Sequence, residues 1–84
     1  MTAPRHLREK EALNAFEDKS LGFLERMKAL KEWHRSQGGH YEFTLGPHTF
    51  NASSSRDVYY YVTDPEKGLG FRINSATLNQ IPVK

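Results

Sequence analysis

The fold class this sequence predicts is α+β: one long N-terminal helix packed on a four-stranded antiparallel β-meander, with a short C-terminal tail. Three observations predict it. Up to Gln37 the apolar residues recur at helical spacing. After Gly38-Gly39 they recur at every second position. The stretches between the alternating runs are short and turn-forming, and such connections join antiparallel neighbours.

Residues 1–4 are expected to be a loose arm, with Pro4 suited to a first helical turn. The helix is expected over 5–37. Its inward stripe reads Leu13, Phe16, Ser20, Phe23, Met27, Leu30 and His34 at heptad spacing, widened by Leu21, Leu24 and Trp33. Ser20-Leu21-Gly22 is its weak point, because Gly costs about 1 kcal/mol against Ala inside a helix and Ser20 can act as a new N-cap. One helix, bent near Gly22, is the expectation, because the apolar phase runs on through the glycine. Two helices meeting near Ser20 are the alternative. Gly38-Gly39 ends the helix, one of the pair taking the left-handed conformation.

The meander is expected over 40–74. Tyr41, Phe43 and Leu45 share one face of its first strand. Gly46-Pro47 is a turn, and the next strand turns Phe50 and Ala52 inward. A polar loop, Ser53 to Asp57, leads to Val58-Tyr59-Tyr60-Tyr61-Val62-Thr63, the run with the strongest strand composition. Here the more apolar set, Val58, Tyr60 and Val62, is expected inward, leaving Tyr59, Tyr61 and Thr63 outward. Asp64-Pro65-Glu66-Lys67-Gly68 turns the chain. The last strand then places Leu69, Phe71 and Ile73 inward and Arg72 outward. In the tail, 75–84, Ser75 is expected to cap a short final turn, which Pro82 stops.

A chain of 84 residues makes a single domain with one thin core and no deep cavity. Its 12% aromatic content argues against disorder, and a net charge of +2 permits nucleic-acid binding without implying it. There is no cysteine, which excludes disulfides and thiolate metal sites. Met1 to Glu11 holds no apolar signal region and no run approaches a membrane span, so a cytoplasmic location is expected.

The outward sheet face carries the candidate site. With Tyr59 and Tyr61 on one strand and Arg72 on the next, it reads as a flat aromatic and cationic platform. Glu42, Thr44, Thr49, Asn51 and Asn74 lie around them, and Tyr41 is a further contact residue. Proteins use Tyr and Arg at interfaces, and single-stranded nucleic acids stack on such platforms. On the helix, Lys28, Lys31 and Arg35 form one locally basic strip among mixed charges.

The four histidines fall on separate elements with no His-x-x-x-His pair, so no metal or cofactor is expected. Ser53, Ser54, Ser55, His48 and Asp57 lie near one another without a glycine elbow, and no phosphate-binding glycine motif is present, so catalysis is not expected. The expected function is non-enzymatic binding. The chain has the size and composition of a small bacterial or phage-type inhibitor, adaptor or regulatory module that occludes a larger protein. A nucleic-acid binder using the same platform is the alternative. A homodimer assembled through the wide helix stripe is the third reading.

Overall fold

A computed structural model describes residues 9–53 and 58–81. The arm at 1–4, the expected helix start at Arg5, most of the polar loop and Pro82 lie outside the described residues. The described chain forms α1 (Glu9–Glu17), α2 (Phe23–Ser36), β1 (Glu42–Leu45), β2 (His48–Ala52), β3 (Tyr59–Asp64), β4 (Leu69–Arg72) and a 3-10 turn (Leu78–Gln80). Two helices pack on one antiparallel sheet of order β1-β2-β3-β4, the α+β architecture expected.

The single long helix is replaced by the alternative, two helices that meet near Ser20 and pack against each other. The break is a local hydrogen-bonded turn. The Asp18 carboxylate accepts both the Ser20 amide and the Ser20 hydroxyl, at 3.0 and 2.6 Å. Ser20 is thereby used inside the turn, and the N-cap position of α2 falls two residues later on Gly22, which has no side chain to cap with. Leu21 and Leu24, read as part of the stripe, are exposed, Leu24 at 78%. At the far end, both Gly38 and Gly39 take positive φ, and the Gly39 amide donates to the His34 carbonyl at 3.0 Å, a helix stop that a β-carbon would strain.

The folded-back helices cover one sheet face. Phe43, Leu45, His48, Phe50, Ala52, Tyr59 and Tyr61 point into this core, where Ala12, Phe16, Leu30 and Trp33 meet them. Its centre is a ladder of rings. His34 stacks on Phe43 at 4.3 Å, Phe43 on Phe50 at 5.3 Å, and Phe16 meets Phe50 edge-on at 5.4 Å. Such pairs contribute beyond their buried area.

Three polar ties fix the layers. The Trp33 indole N–H donates to the Thr44 carbonyl at 2.7 Å, on the strand at the sheet's edge. The Gly46 amide donates to Glu9 at 2.8 Å. Arg26, only 2% exposed, donates through Nε to the Phe16 carbonyl at the end of α1, at 2.7 Å, and through Nη1 to Asn79 at 2.9 Å. The final turn is capped by Asn74, not Ser75. The Asn74 side chain accepts the Ala76 and Thr77 amides at 2.9 and 3.0 Å.

A register shift between Val62 and Asp64 interrupts the β3–β4 pairing. It moves Leu69 out of the expected inward phase, and that side chain is 56% exposed. Nearby, Gly70 approaches the backbone of β3 so closely that a β-carbon there would collide with the Tyr61 carbonyl oxygen.

Candidate functional site, an outward sheet face

The expectation for β3 is reversed at its tyrosines, whereas Val62 is buried and Thr63 exposed, as expected. Tyr59 and Tyr61 are 4% and 8% exposed, whereas Tyr60 is 41% exposed. The platform built on Tyr59 and Tyr61 therefore does not exist at the surface. A tyrosine can be buried when its hydroxyl finds a partner, and each of these does. The Tyr59 hydroxyl lies 3.0 Å from Nδ1 of His34, and the Tyr61 hydroxyl 3.1 Å from Nδ1 of His48.

Both imidazoles are oriented from their far side. Nε2 of His34 lies 2.7 Å from the His40 carbonyl, and Nε2 of His48 lies 2.7 Å from the Glu17 carboxylate. A carbonyl or carboxylate here only accepts, so Nε2 carries the hydrogen in both rings. In the neutral ring Nδ1 is then the acceptor, and each tyrosine donates to it. The Glu17–His48–Tyr61 chain has the order of a relay, but its hydroxyl is enclosed. Burial first, then the negative charge of Glu17, holds that hydroxyl above its ordinary value of 10.0. That is the opposite of an activated phenol.

The raised value makes an alkaline prediction. A folded-state value above the unfolded one contributes stability that is fully present below about pH 10 and is lost as pH rises through the folded value. Tyr61→Phe should be about 1 kcal/mol less stable than the parent at neutral pH, through the lost hydrogen bond to His48. The gap should narrow steadily above about pH 10, where the parent must bury a phenolate. Urea midpoints of both proteins across that range check it, and a constant gap would contradict it.

The face turned away from the helices is set by register. Glu42 pairs with Asn51, Asn51 with Tyr60, and Tyr60 with Arg72, so these four form one row across all four strands. A second row runs Thr44, Thr49, Val62 and Gly70. The sequence reading had placed all of the first row here except Tyr60. The run of three tyrosines gave periodicity no way to choose between faces. A signal was nevertheless present, because His48 shares its phase with Phe50 and so offered a buried acceptor to a tyrosine on the core side.

Among the described residues, none of the four first-row side chains makes a hydrogen bond or ion pair within the domain. The Asn51 amide oxygen is buried and has no donor. Arg72 is exposed, as expected, beside Tyr60 rather than between Tyr59 and Tyr61. Tyr41 is 68% exposed, but it has the inward phase of Phe43 and sits at the sheet corner, apart from the row. Lys28 and Arg35 are exposed and Lys31 is partly covered. All three lie on the side of α2 opposite Arg26, Leu30 and Trp33. That side faces away from the sheet, so the basic strip and Arg72 are on opposite sides of the domain.

Among the described residues no group of three or more His, Asp or Glu side chains is arranged to hold a metal ion. None of the helices there is long and apolar enough to cross a membrane. In comparisons with known proteins, no family model, no curated protein and no solved structure matches the chain.

Proposed function

We propose that this domain is a protein-recognition module whose contact surface is the outward sheet face. The observation that carries the reading is the Glu42, Asn51, Tyr60, Arg72 row, whose four polar side chains have no partner among the described residues. A side chain of each sign, one tyrosine and a carboxamide make up the mixed chemistry of a protein interface. A phosphate backbone would favour a one-signed track. Here the acid Glu42 sits in the row itself, and the basic residues of α2 lie across the core from it. The row also lacks the second and third aromatic rings that would let successive bases stack. The reading agrees with a small inhibitor or adaptor that acts by covering a surface.

The test compares three immobilised proteins: the parent, Tyr60→Ala/Arg72→Ala, and Lys28→Ala/Arg35→Ala. Proteins captured by the parent should be held equally by the helix variant. They should be held at least about tenfold more weakly by the sheet variant, at unchanged far-ultraviolet circular dichroism. Equal capture by the sheet variant overturns the reading. So does tight binding of generic oligonucleotides that weakens steeply with salt.

A further inference from the structure

The outward row is complementary to itself, and we infer that its occupant is a second copy of this chain, docked sheet on sheet across a two-fold axis. This rests on the reading of that face as a protein-contact surface and names what covers it. An axis lying parallel to the strands, between β2 and β3, reverses strand order when one face is laid on the other. β1 then sits over β4 of the partner, and β2 over β3 of the partner. Glu42 is brought over the second copy's arginine at position 72, and Asn51 over its tyrosine at position 60, each contact occurring twice.

The chemistry matches along the first row. Glu42 and Arg72 are exposed charges of opposite sign at the two edges of one row, with no ion pair inside the domain among the described residues. With strands about 4.8 Å apart, they are too distant to neutralise each other within one chain. The Asn51 amide oxygen has no donor, and a tyrosine hydroxyl is a donor. That oxygen is enclosed, so it reaches the second copy by a half-turn of the carboxamide, which breaks no hydrogen bond of the oxygen and turns the NH2 group inward. In the second row, Val62 is already buried within the domain and adds little contact, and Thr44 falls over Gly70, which has no side chain to collide with it. Two twisted sheets pack in this aligned way at about 10 Å. Such a face is small for an interface, so the dimer is expected to be reversible and dependent on concentration.

The test is sedimentation of the full chain over a wide concentration range, for the parent, Glu42→Arg, Arg72→Glu and the double exchange. The parent should dimerise. Each single exchange sets like charges face to face and should weaken association by at least about tenfold. The double exchange restores both pairs with reversed sign and should recover association to within about threefold of the parent. Leu24→Ser, on the exposed side of α2, should change nothing. A parent that remains monomeric at about 1 mM overturns the inference. So does a dimer indifferent to the single exchanges or abolished by Leu24→Ser. A monomeric parent whose Tyr60-dependent capture of other proteins persists overturns only the occupant. Loss of that dependence as well removes the reading beneath it.

Discussion

Phe50→Ala is expected to cost about 3–5 kcal/mol, the range for truncating a fully buried aromatic ring. Phe50 has no exposed surface, and Phe16, Phe43 and Tyr61 meet its ring at 5.4, 5.3 and 5.5 Å. Removing it opens a void where Phe16 of α1 meets rings from β1, β2 and β3. Neighbouring rings are stiff and refill a void poorly. A domain of 84 residues holds on the order of 4–13 kcal/mol in all, so the loss is a large fraction. Urea unfolding followed by near- and far-ultraviolet circular dichroism measures it. Phe50→Leu, which keeps most of the volume, should lose only about 1–2 kcal/mol. If the Ala variant were no worse than the Leu variant, the ring ladder would not be the central support.

Arg26→Ala is the second large effect, at about 2–4 kcal/mol. The guanidinium joins three segments: α2, where it originates, the Phe16 carbonyl at the end of α1, and Asn79 in the final turn. It also lies 5.8 Å from the Phe16 ring. Truncation leaves a buried carbonyl and an amide oxygen without donors and removes the stem that fills the space between them. Burial lowers the guanidinium from its usual very high value, with Asp18 opposing the shift, and Nη2 has no hydrogen-bond partner among the described residues. The charge is therefore held at a cost. Arg26→Met, which keeps the stem without the charge, should recover at least half of what Ala loses. Thermal melts of the three proteins decide it. An Ala variant equal to the parent would mean that the tie contributes nothing.

Much of the outward row was legible before the fold was known. Glu42, Asn51 and Arg72 sit on strands whose alternation is unambiguous, because Phe43, Phe50 and Phe71 mark the opposite phase. Tyr60 was not legible. Its run offers Val58, Tyr60 and Val62 against Tyr59, Tyr61 and Thr63, and hydrophobicity favours burying the first set. Which tyrosines are buried is decided instead by two acceptors supplied from elsewhere, His34 on α2 and His48 on β2. A sheet-face reading that omits hydrogen-bond partners ranks these tyrosines wrongly, although it places Val62 and Thr63 as they are found. The helix break near Ser20 is the alternative of the two readings, not the favoured one. Apolar spacing continues through Ser20-Leu21-Gly22, and the turn that interrupts it rests on one carboxylate, Asp18, accepting twice.

By itself the sequence determined the class of the fold and its order: helical spacing before Gly38-Gly39, alternation after it, and hairpins where the connections are short. These are properties of neighbours along the chain, and local spacing carries them. Only the tertiary structure decided which tyrosines are buried, that the helix folds back on itself, and that Arg26 lies inside. The buried tyrosines and Arg26 depend on a polar group finding a partner distant in sequence: Tyr59 with His34, Tyr61 with His48, and Arg26 with Asn79. Burial of a polar group follows the partner it meets, and the partner is set by how the layers pack.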